Sequence, residues 1–210
     1  LQVESFDAWH ERKRENDYSA IFWDWWRKDV SALVRHFRNN PSVFMWCSGN
    51  EIRDREYKLE SGEWLSSVIT AEFHRLDPTR PVTFGANGNQ SRQLKRGFDT
   101  TIDVFGFNYG IENYKSFRAY ERNATRAFHG SETASTVSSR GEYFFPVFDL
   151  SGEARREHAY KTEVRGDFQM SSYDVQAPGW GSTPDHQFAM LARHPDAFGE
   201  YVWTGFDYLG

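Results

Sequence analysis

The chain has 210 residues and a formal net charge of -5, a length that suits one domain or part of a larger one. That mild acidity argues against a nucleic-acid partner, which would call for a basic face. No apolar run approaches the roughly 20 residues of a membrane span, and the single cysteine, Cys47, excludes an internal disulfide. At 39% hydrophobic residues the chain can build a core. Aromatic residues reach 17%, with 8 Trp, 10 Tyr and 18 Phe; most are expected to pack the core, and a few are free to stack on a ligand. The chain opens at Leu1 with no targeting signal to read, so localisation stays open.

In chain order, Leu1 to Val3 reads as the end of a strand, followed by a loop from Glu4 to Asn16. Tyr18, Phe22, Trp25, Trp26, Val30, Val34 and Phe37 recur at helical spacing behind a cap at Asn16 or Asp17. That helix stops before Pro41, and Val43 to Ser48 is a continuous apolar strand of the kind buried on both faces. Leu65, Val68, Ile69, Phe73 and Leu76 predict a second amphipathic helix, ended by Asp77-Pro78. Pro81 to Phe84 is a short strand leading into a loop rich in Gly, Asn and Gln.

Val104 to Tyr109 is the next strand, Tyr114 to Asn123 a weaker helix, and Ala127 to Ser131 a strand leading to Glu132. The stretch from Thr133 to Trp180 lacks periodicity and is expected to be functional loop. Thr183-Pro184 starts a helix with Phe188 and Leu191 on its buried face, and Phe198 to Trp203 is the last strand. Alternating strands and helices predict an α/β fold with a parallel sheet. Asn50-Glu51, Asn108-Tyr109, Glu132 and Trp203 then fall at strand C-termini, where a (β/α)8 barrel keeps its chemistry.

Two carboxylates on one barrel rim suit glycoside hydrolysis, which needs an acid for the leaving oxygen and a nucleophile or base. Glu51 and Glu132 are the candidates, although rim carboxylates also form salt bridges. Asn50 either binds substrate or caps its turn, and Tyr109 and Trp203 either line the site or pack in the core. Asp7, Trp9 and Trp180 are as compatible with loop packing as with a pocket wall. The seven histidines form no metal signature, and neither a nucleophile elbow nor a phosphate loop is present. No cofactor or metal is expected.

Asn39-Asn40-Pro41-Ser42-Val43-Phe44-Met45-Trp46-Cys47-Ser48-Gly49-Asn50-Glu51 closely resembles the acid/base signature of glycoside hydrolase family 2, the β-galactosidase family. It departs at Asn40, where His is common, and at Cys47. The resemblance continues through Glu4 to Trp9, Phe107-Asn108-Tyr109, Gly130 to Ser135 with Ser139 to Tyr143, and Val202 to Gly210.

The resemblance implies a (β/α)8 TIM barrel, incomplete, with about strands 3 to 8 present. Residues 1–210 would be a fragment of a catalytic domain that lacks the first strands and the preceding β-sandwich domains. It implies Glu51 as general acid/base and Glu132 as nucleophile of a retaining exo-β-glycosidase, with carboxyls roughly 5 to 5.5 Å apart. Asn50 would meet the sugar 2-hydroxyl, Tyr109 would hold Glu132, and Trp203 would lie under the sugar, with Asp7 and Trp180 lining the pocket. β-Galactosidase is the first expectation, and β-mannosidase and β-glucuronidase are alternatives. A barrel that binds sugar without cleaving it is the rival from another class. The expected partners are a carbohydrate, the missing parts of the same polypeptide and, as an open option, a second copy.

Overall fold

The computed structural model describes residues 1–56, 59–88, 90–136, 141–144 and 171–206. Residues 145–170 of the expected loop, Ser139-Arg140, and the Asp207 to Gly210 end of the last motif lie outside the described residues. Six parallel strands follow one another in chain order and alternate with helices, the arrangement of an incomplete (β/α)8 barrel. The chain divides into two compact units, Leu1–His129 and Gly130–Gly210.

The first unit holds β1 (Gln2–Glu4), β2 (Met45–Asn50), β3 (Val82–Ala86), β4 (Val104–Asn108) and the start of β5 (Phe128–Ala134). Between β1 and β2 runs α1 (Phe22–Phe37), behind a short 3-10 turn at Tyr18–Ala20 capped by the Asp17 side chain. Asp17 is the cap, while Asn16 takes a left-handed backbone at φ 61. Phe22, Trp26, Val30 and Val34 form the buried stripe of α1. Trp25, expected on that stripe, is exposed instead, with the Lys28 ammonium 4.4 Å from its ring centroid. A step of three from Phe22 to Trp25 and a step of four to Trp26 diverge around the helix, and only the step of four faces the core.

α2 (Arg53–Glu56) and α3 (Leu59–Leu76) follow β2. They pack so closely that a Cβ on Gly62 would stand 2.1 Å from the Asp54 carbonyl oxygen, so only glycine fits there. Neither α2 nor α4 (Gln90–Arg96) carries a readable apolar period; α4 falls in the stretch expected as loop, and α2 in one for which no element was expected. The weak helix after β4 is shorter than expected: α5 (Tyr114–Arg118) ends, and Glu121–Asn123 forms a separate 3-10 turn.

One core lies among α1, α3 and the first strands, built from Phe6, Trp9, Trp26, Trp46, Ile69 and Phe73. A second is almost wholly aromatic. Phe105, Phe107, Phe117, Phe128 and Tyr114 form a network with ring centroids 4.7 to 6.0 Å apart. Trp9 is fully buried and donates its indole N–H to the Ser48 carbonyl at 3.0 Å, which makes it a packing residue. Cys47 is the small buried thiol expected, and burial raises its pKa. His129 is a core histidine whose Nε2 lies 3.0 Å from the Thr83 hydroxyl, and burial lowers its pKa to about 3.

In the second unit β5 continues to Ala134 and pairs with β6 (Glu200–Trp203). α6 (Pro184–Leu191) has proline in its first turn, as expected. Its buried residue is Gln187, bonded to the Glu200 carboxylate at 2.8 Å, whereas Phe188 is half-exposed.

Candidate active site

The extended run of β2 carries the first candidate. β2 pairs with β3 through Cys47↔Thr83 and then Asn50↔Gly85, so three steps on β2 oppose two on β3. The extra residue re-aims the side chains that follow, a recurrent device beside active sites. Asn50 is the last residue of β2. Glu51 comes next with a left-handed backbone (φ 49), its N–H donating to the Gly85 carbonyl at 2.9 Å.

The two side chains are gripped by a third. Asn108, buried at the end of β4, donates from Nδ2 to Asn50 Oδ1 at 2.9 Å and to Glu51 Oε1 at 3.0 Å. Gly85 of β3 makes the room, since a Cβ there would lie 2.4 Å from Asn50 Oδ1 and 2.8 Å from Asn108 Oδ1. Gln90 in turn donates to the Asn108 carbonyl at 2.8 Å. Three strand ends are therefore tied together by carboxamides. Tyr109 follows Asn108 in another left-handed conformation (φ 55) and is half-buried.

Lys13, from the loop after β1, stands 2.9 Å from Asp7 Oδ1, 3.5 Å from the Asn50 carbonyl and 4.0 Å from Glu51 Oε2. The Asp17 carboxylate shapes that loop by accepting the Lys13, Arg14 and Ser19 N–H groups. Asp7 also accepts weakly from Asn50 Nδ2 at 3.4 Å, and its own side chain is largely exposed. Glu56 on α2 is a further carboxyl in this region: burial, and then the charge of Glu51, raise it to about 7. Asp7, Asn50 and Glu51 thus share one polar cluster.

In the second unit Glu132 lies inside β5, two residues before its end, where the sequence suggested the position just past the strand. The β5–β6 register also gains a residue there, since Gly130↔Glu200 is followed by Thr133↔Val202. Ala134 (φ 64) and Ser135 (φ 68) then turn left-handed. Trp180 donates its indole N–H to the Ser135 hydroxyl at 3.1 Å, and Thr136 donates its backbone N–H to the Trp203 carbonyl at 2.7 Å. Both indoles are about half-exposed, and the peptide after Trp203 is cis. The chain just past Glu132 therefore anchors two accessible aromatic rings.

The sequence reading missed Asn108, Lys13, Glu56 and Gln90 as members of the site. Asn108 did leave a signal, because it closes a strand just before Tyr109 as Asn50 closes one before Glu51. Lys13 left none, since it sits in the charged run His10 to Glu15, which reads as a solvated loop.

The family described as "Glycosyl hydrolases family 2, TIM barrel domain" matches residues 4–143. The chain belongs to this family. The beta-galactosidase BoGH2A of Bacteroides ovatus is 30% identical over 237 residues, covering 99% of this chain and 27% of that protein. The beta-glucuronidase of Homo sapiens is 40% identical over 124 residues, 50% of this chain and 18% of that one. The crystal structure of a beta-glycosidase from Bacteroides vulgatus aligns with a TM-score of 0.69 at 26% identity, covering 98% of this chain and 26% of that one. The chain thus spans about a quarter of the length of the relatives it matches along its whole course.

Proposed function

We propose that this segment carries the catalytic residues of a retaining exo-β-glycosidase, with Glu51 as general acid/base and Glu132 as nucleophile. The observation that carries the reading is the Asn50-Glu51 tip. A carboxylate at a barrel-strand end is held by a buried amide on a backbone conformation that glutamate rarely adopts. Such rigid presentation is what glycosidic acid catalysis needs.

In the first half-reaction Glu51 gives its proton to the glycosidic oxygen as the C1–O bond breaks and its electron pair moves to that oxygen. The Glu132 carboxylate forms the new bond to C1. In the second, Glu51 takes a proton from water, whose oxygen displaces Glu132. Asn50 is assigned to the sugar 2-hydroxyl and Tyr109 to Glu132. The half-exposed Trp203 supplies the apolar platform, and Asp7 and Trp180 belong to the pocket wall.

β-Galactoside is the proposed substrate, supported by the Ser131 to Ser135 context and by a likeness to a β-galactosidase that runs over 99% of this chain. β-Glucuronide is the second reading, supported by the human relative. A panel of chromogenic β-glycosides tested on the full polypeptide, with Glu51→Gln and Glu132→Gln beside it, decides among these. Loss of turnover in both variants supports the enzyme, and the best sugar names the substrate. Unchanged sugar affinity with no turnover in the parent would instead mark a binding barrel.

The 210 residues are further proposed to supply strands three to eight of the barrel and to depend on the other parts of the polypeptide. Isolated, they should melt without a cooperative transition, because open sheet edges leave the core unclosed. A sharp melt together with full turnover of the isolated segment contradicts this.

A further inference from the structure

Asn108 has no role in the roles proposed so far, yet it has the most constrained side chain of the polar cluster. Its amide nitrogen carries two hydrogens, and the geometry directs one to Asn50 Oδ1 and the other to Glu51 Oε1. The carboxamide cannot relax easily. Its own strand end is tethered through Gln90, which also accepts from Asn113 at 2.8 Å, and Gly85 leaves no spare volume beside it.

We infer that Asn108 is a positioning residue that assigns the transferable proton of Glu51 to Oε2; this rests on the reading of Glu51 as acid/base. A carbonyl-type oxygen accepts an amide hydrogen better than a hydroxyl oxygen does. With the Asn108 N–H on Oε1, the protonated carboxyl keeps Oε1 as its carbonyl and places the hydrogen on Oε2. The same bond pattern settles Asn50: its Oδ1 is occupied by Asn108, so its Nδ2 donor turns outward, on the side of Asp7. Lys13 faces Oε2 at 4.0 Å but is paired first with Asp7 at 2.9 Å, which tempers its opposition to a proton there. One buried amide thus orients both the acid and the neighbouring sugar-binding donor. The proton leaves Oε2 for the glycosidic oxygen and returns to Oε2 from water.

The test uses the full polypeptide and two aryl β-glycosides of the sugar it prefers, one with a phenol leaving group and one with dinitrophenol. The dinitrophenolate departs without protonation, so only the phenyl glycoside reports acid catalysis. Asn108→Asp keeps the shape and removes the donor. Its kcat/KM should fall by about 100-fold or more on the phenyl glycoside, within the range of a lost proton-transfer contribution, and far less on the dinitrophenyl glycoside. Gly85→Ala, which crowds the same carboxamides while leaving residue 108 an asparagine, should steepen the leaving-group dependence in the same direction and covers the case of an unfolded Asn108 variant. Equal losses on both substrates, or no loss, would overturn the assignment. A Glu51→Gln control that is itself insensitive to the leaving group removes the acid/base reading and the assignment together, whereas a sensitive control with insensitive Asn108 and Gly85 variants removes the assignment alone.

Discussion

The strand ends that carry Glu51 and Glu132 solve one problem with different materials. Each has an extra residue in its register just before or at the carboxylate, and each is followed by left-handed backbone. Around Glu51 the structure is fixed by side-chain amides, a glycine and a lysine. Past Glu132 it is fixed by hydroxyl and backbone hydrogen bonds, Thr136 joining the Trp203 and Thr204 carbonyls, with indoles as the accessible surface. On the proposed reading, the Glu51 end serves to manage a proton, and the Glu132 end serves to present the nucleophile.

The largest effects should separate these two ends. Glu132→Gln is expected to abolish turnover on every glycoside, because no leaving group replaces a lost nucleophile. Glu51→Gln should cost about 10²- to 10⁴-fold on unactivated glycosides and much less on a dinitrophenyl glycoside. Steady-state kcat/KM on the two substrate types checks both, and matching patterns for the two variants would erase the contrast.

Next comes stability. Phe107→Ala should destabilise by about 3–5 kcal/mol, since it removes a fully buried ring that touches Phe105, Tyr114, Phe117 and Phe128. Trp203→Ala, on a half-exposed ring, should cost about 1 kcal/mol while lowering kcat/KM. Denaturant melts alongside kinetics read both, and a Trp203 variant with lost stability and intact activity would place that ring among structural residues.

The smallest expected effect concerns Glu56. Its folded value of about 7 lies above its ordinary value of 4.5. Between those pH values the folded chain holds a proton that the unfolded chain has released. Stability therefore falls as pH rises through that window and levels off above it. Glu56→Gln, neutral throughout, should melt higher than the parent above pH 7 and at nearly the same temperature below pH 4.5. A variant that gains stability only in acid would reverse the sign and deny the burial argument.

Much of this was legible in the sequence where physics is local. The step of four from Phe22 to Val34 predicted the buried face of α1, and the apolar run into Asn50 predicted the strand that delivers Glu51. α2 and α4 were not legible, because short polar helices are set by tertiary packing rather than by period. The exposure of Trp25 and Phe188 shows the same limit, as spacing names a helix before it names which neighbour exists to bury each face. In the candidate site, the placement of Asn50 and Glu51 at a strand's C-terminal tip was readable from the sequence. The bonds of Asn108 to them join positions 58 and 57 residues apart, and only the fold brings such residues together.

The most direct measurement is covalent trapping. The full polypeptide, treated with a 2-deoxy-2-fluoro β-glycosyl fluoride of its preferred sugar, is digested and read by mass spectrometry. One added glycosyl group is expected on the peptide containing Glu132, and none in Glu132→Gln. A label on another carboxylate, or unlabelled enzyme that turns over with inversion, would contradict this expectation.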